Sequence, residues 1–304
     1  MIKRFERLAV TSLAKLYLPP PLARGAKRLA VYPRYVAQAR ACRGGFRRFS
    51  HLYPQKVLFI AGLPKSGTTW LKKMLSSYPG FHEILIPDVA AYELATGGSH
   101  DYDLPPDIFS RFEEMLVVTK MHVHGSRHNV EALRAAGVKY VVLYRDLRDV
   151  AVSHFFYVRQ TPWHPEYPVY ANLAVPEALA TFAQRTLLVY VDWVRSWHEH
   201  RDPKMSLDLQ YERMLSDTTA VMTGVAEHFQ LDSSPEAVGR IVEKHSFRGL
   251  SGGRSRGQES ESSFFRKGVA GDWKNYFTSE LKETYKELIG DFLIEFGYEQ
   301  DHSW

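Results

Sequence analysis

The stretch Lys56-Val57-Leu58-Phe59-Ile60-Ala61-Gly62-Leu63-Pro64-Lys65-Ser66-Gly67-Thr68-Thr69-Trp70-Leu71 decides how the rest of this chain is read. Val57 to Ile60 form a short, uninterrupted apolar run, as a parallel strand buried on both faces requires. Gly67–Tyr78 reads as a helix. The glycine-bearing turn between them aims backbone N–H groups at one point, and the helix N-terminus adds partial positive charge there. Such a turn cradles a phosphate. The pattern G-x-x-x-x-G-K-[ST] of ATP- and GTP-binding loops places its lysine after the second glycine. Here Thr68 holds that position and the lysine stands earlier, at Lys65. An ordinary nucleoside-triphosphate loop is therefore disfavoured. The bland alternative is a strand–turn–helix with incidental polar residues.

Outward from this turn the pattern alternates. Met115–Lys120, Lys139–Tyr144 and Ser206–Gln210 read as further strands. Arg127–Ala136, Leu147–Val158, Pro176–His200, Ala220–Phe229, Pro235–Lys244 and Ser279–Phe296 read as helices. Strand and helix in this succession predict an α/β fold, P-loop-like, with three layers α/β/α around a central parallel sheet. Gly249 to Ser263, rich in Gly, Ser, Arg and Glu, reads as a loop.

Charge divides the 304 residues unevenly. Residues 1–50 carry twelve Lys/Arg and one acid, Glu6, against 39 and 34 in the whole chain, so the remainder is net −6. The expected organisation is a basic N-terminal arm, 1–50, and a catalytic domain, 51–304. Residues 2–18 suit a short amphipathic basic helix, stopped by Pro19-Pro20-Pro21. Two placements of the arm stay open, packed on the domain or at an anionic membrane surface. No apolar stretch reaches the length of a membrane span, and no secretory signal is recognisable. Basic residues lie along no reader motif, which argues against nucleic acid as a partner. Cys42 is the sole cysteine, so neither a disulfide framework nor a cysteine metal site is expected. The expected location is cytoplasmic, with peripheral membrane contact as the variant reading.

Three further groupings carry chemistry. Arg145 follows the third strand, at a carboxyl end where α/β sheets bind ligands, and Ser153 stands eight residues on. A guanidinium fork and a hydroxyl suit a dianionic phosphate. The competing reading for Arg145 is a surface ion pair with Asp149. Arg266 and Lys267 beside Gly268 give two cations on a permissive backbone, otherwise a solvated basic turn. In Thr119-Lys120-Met121-His122-Val123-His124, a strand period of two puts Lys120, His122 and His124 on one side if the strand continues. Histidine suits proton removal near neutrality and lysine suits stabilising charge. His124 is the rival base to His122.

Pro64-Lys65-Ser66-Gly67-Thr68-Thr69-Trp70 resembles the 5′-phosphosulfate loop of the cytosolic-type sulfotransferases. Tyr144 to Ser153 resembles that family's 3′-phosphate segment, and Arg266 to Lys274 its C-terminal nucleotide loop. The three occur in family order between about Lys56 and Phe296. The resemblance implies transfer of a sulfuryl group from 3′-phosphoadenosine-5′-phosphosulfate (PAPS) to a hydroxyl or amine, without a metal. It implies His122 as general base, Lys65 and Lys120 as stabilising cations, and Ser153 as a 3′-phosphate ligand that restrains Lys65. It implies a nucleotide site of Lys65, Ser66, Gly67, Thr68, Thr69, Trp70, Arg145, Ser153, Tyr211, Ser246, Phe247, Arg266, Lys267 and Gly268, with Trp70, Tyr211 and Phe247 at the adenine. His245 departs from the small hydroxyl residue common in the family. Lys274 to Glu283 is similar to the family's dimer motif, but Ser279 replaces its apolar valine, so a monomer or weak homodimer is expected. The acceptor is a small molecule, lipid or glycan, and the aromatic stretches Phe81–Tyr92 and Phe155–Tyr170 are candidates to line its pocket. The alternatives are a P-loop kinase or NTPase, and a catalytically inactive nucleotide-binding protein of the same fold.

Overall fold

A computed structural model describes residues 20–96, 101–162, 164–261 and 263–304. Helix α1 spans Pro20–Phe49 and leads to strand β1, Val57–Gly62. Then come α2 (Thr68–Leu75), β2 (His82–Glu83), α3 (Pro87–Thr96), β3 (Val117–Met121), α4 (Arg127–Ala135) and β4 (Tyr140–Tyr144). The chain continues through α5 (Leu147–Arg159), α6 (Tyr167–Tyr170), α7 (Val175–Phe182), α8 (Leu188–His200) and β5 (Ser206–Gln210). It closes with α9 (Tyr211–Ser216), α10 (Thr218–Phe229), α11 (Pro235–Lys244), α12 (Phe247–Leu250) and α13 (Ser279–Glu295). The predicted strands appear at the predicted places. The helix expected over 176–200 is interrupted by a π-turn at Ala183–Leu187.

The five strands form one parallel sheet in the order β2-β3-β1-β4-β5. The apolar run explains the layering. In β1, Leu58 and Ile60 join α2, α10 and α11 in one apolar cluster, while Val57, Phe59 and Ala61 face α5, α7, α8 and α13 in another. Alternate side chains leave opposite faces of a strand, so a strand covered on both sides must be apolar throughout. All six residues of β1 are buried. Because β1 lies between β3 and β4, the chain leaves it toward one side of the sheet and later crosses to the other. The carboxyl ends of β1, β3 and β4 therefore border a crevice at a topological switch point.

The helix expected over residues 2–18, and its stop at the proline run, lie outside the described residues. Pro20 and Pro21 stand in the first described turn of α1, and Pro33 lies within it. Proline is tolerated in a first turn, where backbone N–H groups lack an intrahelical acceptor. From Pro20 onward the segment packs on the body of the protein. Val31, Ala39 and Cys42 are buried, and the Cys42 carbonyl accepts from Leu116 N at 3.3 Å. Gln38 Oε1 accepts from Leu85 N at 3.0 Å, which ties α1 to the segment entering α3.

Close approach at Gly45 allows this docking. A Cβ there would overlap the Gly80 carbonyl oxygen, a backbone atom that has no rotamer by which to move away. Gly45→Ala is expected to lower stability by about 1–3 kcal/mol, the usual range for an overpacked contact. Thermal unfolding of the variant beside Gly44→Ala, which meets nothing within 4 Å, checks it.

Candidate active site

A cavity of about 480 Å³ opens over the carboxyl ends of β1, β3 and β4. Its floor is the turn after β1. Leu63 N donates to the Leu143 carbonyl at 2.8 Å, fixing the turn to β4. Lys65 takes φ of 66° and Gly67 φ of 85°, both left-handed. Glycine is required at 67 twice over, since a Cβ would also lie 2.7 Å from the Tyr211 ring. The first helical bond of α2 runs from Trp70 N to the Gly67 carbonyl. The preceding N–H groups at Gly67, Thr68 and Thr69 thus open toward the cavity as an anion cradle.

Lys65 Nζ sits 3.8 Å from the Tyr157 ring centroid and 5.2 Å from that of Phe264. Burial, and then the charges of Arg145, Lys120 and Arg266, bring its pKa down to about 7. His122, one residue past β3, donates from Nδ1 to the Gly62 carbonyl, because a carbonyl can only accept. That fixes the tautomer and leaves the Nε2 lone pair toward Lys120 Nζ, 2.9 Å away. Burial, and next the Lys120 charge, hold His122 well below its ordinary pKa, so the ring is neutral. Its backbone is pinned as well, with His122 N donating to Glu93 Oε1 at 3.2 Å and Trp193 Nε1 donating to its carbonyl at 2.9 Å. Lys120 is lowered to about 8, chiefly by burial.

Arg145 is not a surface ion pair. It is buried and donates from one Nη to Asp149 Oδ2 and to the Val269 carbonyl, each at 3.0 Å, while its plane lies 4.3 Å over the Tyr211 ring. Asp149 in turn accepts from Gly271 N at 2.8 Å and Trp273 N at 2.9 Å. Burial of Arg145 works against its charge, but the Asp149 carboxylate more than offsets this and raises its pKa. Arg266 pairs with Glu259 and Asp272, and Lys267 with Asp272 at 2.6 Å. Gly268, at φ 68°, lies so close to the Phe247 ring that a Cβ would overlap it. Trp70 Nε1 donates to the His245 carbonyl at 2.8 Å, and Trp70 meets Tyr211 edge-on at 6.4 Å.

The cavity walls thus bring together Lys65, Gly67, Thr68, Thr69, Trp70, Lys120, His122, Arg145, Ser153, Tyr211, Phe247, Arg266, Lys267 and Gly268. Three expected residues stand apart. Ser66 is fully buried behind the turn, and its hydroxyl has no partner among the described residues. Ser246 caps α12 by accepting from Gly249 N at 3.2 Å. His124 lies off the end of β3, with Nε2 2.8 Å from Asp192, outside the cavity. The strand stops at Met121, so the period of two that grouped His124 with His122 no longer applies. In the aromatic stretch from 155, Phe155 belongs to the core while Tyr157, His154 and His164 reach the wall. Arg34, Gln38, Arg256 and Phe264 also line it, and nothing local in the sequence marks them.

Residues 55–297 match the family model described as a sulfotransferase domain. The chain belongs to the sulfotransferase family. The relatives are diverse within it. Flavonol 3-sulfotransferase of Flaveria bidentis is 28% identical, over 78% of this chain and 81% of its own. Sulfotransferase 1E1 of Homo sapiens is 28% identical over 80% and 86%. The fold resembles that of mouse sulfotransferase SULT7A1 complexed with PAP, with TM-score 0.59 at 22% identity, covering 81% of this chain and 88% of that one. The protein is a sulfotransferase enzyme, which removes the kinase reading.

Asp149 holds this sulfotransferase's cavity together, and its removal has a calculable effect. Asp149→Ala leaves a buried guanidinium and two backbone N–H groups without their acceptor, which costs about 3–5 kcal/mol. Chemical denaturation is expected to show that loss, and limited proteolysis to show cleavage near Gly268–Gly271.

Proposed function

We propose that the enzyme transfers a sulfuryl group from PAPS to a hydroxyl or amine of a small-molecule, lipid or glycan acceptor, with His122 as general base. The observation that carries this reading is the neutral His122 ring. Its Nδ1 proton is committed to the Gly62 carbonyl, and its Nε2 lone pair lies in a cavity beside two lysines.

The donor fits the residues present. Lys65, Arg145, Arg266 and Lys267 converge on one cavity, and burial followed by the charges of Arg145, Lys120 and Arg266 already lowers the pKa of Lys65. Cations gathered so closely favour a polyanion. The backbone at Gly67 to Thr69 suits the 5′ end, Arg145 with Ser153 the 3′-phosphate, and Trp70, Tyr211 and Phe247 the adenine. When bound, the donor supplies the sulfuryl group and a phosphate leaving group.

On the protein's side, His122 Nε2 takes the proton from the acceptor oxygen as the new S–O bond forms. Lys65 donates to the oxygen from which sulfur departs, as the bond between them breaks. Lys120 restrains His122 Nε2 until acceptor arrives and then faces the transferred group. A base of lowered pKa is unprotonated throughout the neutral range, so its readiness is not lost until well below pH 6.5. His122→Gln is expected to lower kcat by roughly 10²–10⁴-fold with PAP binding retained. Loss of both together would reduce His122 to a structural part, and retained activity would remove it as base. The inactive-binder alternative predicts nucleotide retention with no sulfated product by mass spectrometry for the unaltered protein.

Lys65 gives a separate test. Without ligand its pKa is about 7, so at pH 8 it is largely neutral. A polyanionic nucleotide favours the ammonium and raises that pKa. Binding at pH 8 should therefore take up protons, and affinity should fall as pH rises from 7 to 9. Calorimetry of PAP in buffers of differing ionisation enthalpy reads the uptake. Arg145→Ala should weaken the same binding sharply, and a preference for magnesium-ATP over PAP would overturn the donor assignment.

A further inference from the structure

The face of α1 turned away from the sheet carries Leu22, Leu29, Tyr32 and Val36, exposed by 61, 74, 50 and 42%. They are four of the nine large apolar side chains exposed among the described residues, so the exposure is concentrated rather than scattered. Leu22, Leu29 and Val36 stand seven apart, and Tyr32 lies one turn from both Leu29 and Val36, so they form one stripe. The stripe continues at helical spacing into Arg40, Arg43 and Arg47, all exposed. Helix α1 holds eight Lys/Arg and no acid. Its opposite face is committed to the protein through Val31, Ala39 and Cys42, with Arg34 and Gln38 at the cavity wall.

We propose that this outward face of α1 docks on an anionic lipid surface. An apolar stripe flanked by arginines is what an interfacial helix presents, its apolar side chains entering the headgroup boundary and its guanidinium groups meeting lipid phosphates. The charge argues against two other occupants. A second copy in a two-fold arrangement would bring together two helices that each hold eight Lys/Arg and no acid. The chain's own residues 2–18 carry Lys3, Arg4, Arg7 and Lys15 against Glu6 alone, and repel this face in the same way. Anionic lipid is the occupant whose charge is complementary. Helix α1 has 30 residues and would lie along the surface for about 45 Å. The cavity wall at Arg34 and Gln38 then stands about one helix diameter, ~10 Å, from the lipid.

The test is flotation of the full chain with vesicles of phosphatidylcholine alone and of phosphatidylcholine with phosphatidylglycerol. Binding to the phosphatidylglycerol vesicles alone is expected, weakening as salt is raised. Leu29→Glu with Val36→Glu should weaken it by at least about tenfold, since two apolar anchors become charges. Arg40→Gln, Arg43→Gln and Arg47→Gln together should weaken it by roughly 100-fold, on the order of fivefold per basic side chain. Both variants alter exposed side chains, and unchanged thermal unfolding and PAP binding will show them folded. Equal binding to neutral vesicles, no binding to anionic ones, or anionic binding that both variants retain would overturn the proposal. So would a dimer in sedimentation equilibrium that Leu29→Glu with Val36→Glu dissociates, which assigns the stripe to a second copy.

Discussion

The carboxylate of Asp149 is the point on which the cavity depends. It receives three donors, the Arg145 guanidinium and the backbone N–H groups of Gly271 and Trp273. One side chain thus joins the segment after β4 to the loop before α13, which are more than a hundred residues apart in sequence. The adjoining Arg148 reinforces the junction from the other side. It pairs with Asp146 at 2.7 Å and Glu299 at 2.6 Å and lies over the rings of both Trp273 and Trp304. Buried charges persist only when paired and hydrogen-bonded, so these carboxylates fix where the C-terminal loop can lie. Arg266, Lys267 and Gly268 reach the cavity because that loop has no other place to go.

The second constraint is crowding of positive charge. Arg266 and Lys267 are offset by Glu259 and Asp272, and Arg145 by Asp149. Lys65 instead rests against the rings of Tyr157 and Phe264, and burial with the neighbouring cations disfavours its charge. A ring face is a weak substitute for an anion, worth about 0.5–2 kcal/mol. Lys65 is therefore held near the cavity without being locked by a carboxylate. A carboxylate at that place would compete with the donor's own charge. Aromatic carbon keeps the ammonium in position and yields it readily.

Much of this was legible before the fold was known, and the reason is local. The turn after β1 is made by consecutive residues between a strand and a helix, so Gly62 to Trp70 could be read as one unit. Arg145 stood legibly at a strand's carboxyl end, and Lys120 and His122 at the end of another. Where the reading failed, the deciding fact was not local. His124 was grouped with His122 by strand spacing, but β3 ends at Met121. Ser246 is a helix cap, which its neighbours in sequence do not announce. Phe155 and Tyr157 look alike in composition, yet only Tyr157 turns to the wall. Strand β2 has two residues and offers no period to detect. Helix α1 was obscured by proline, with Pro20 and Pro21 in its first turn and Pro33 inside it, residues that locally argue against helix.

The position of α1 carries the cavity beyond the limits of the family match. The matched domain begins at residue 55, yet Arg34 and Gln38, well before it, line the same cavity as His122. Lys65, Arg145 and Arg266 reach that cavity from the turn after β1, the segment after β4 and the loop before α13, all within the match. Ile84, Ile86 and Val89 line it as well, together with Arg34 and Gln38 of α1. Gln38 is held at the wall by its Oε1, which accepts from Leu85 N. The cavity thus draws on two stretches of the chain, one inside the matched domain and one before it. Helix α1 has two separate faces, since Arg34 and Gln38 line the cavity while Leu22, Leu29, Tyr32 and Val36 are exposed on the outside. A substitution on the inner face therefore alters the cavity wall, and one on the outer face leaves that wall as it is.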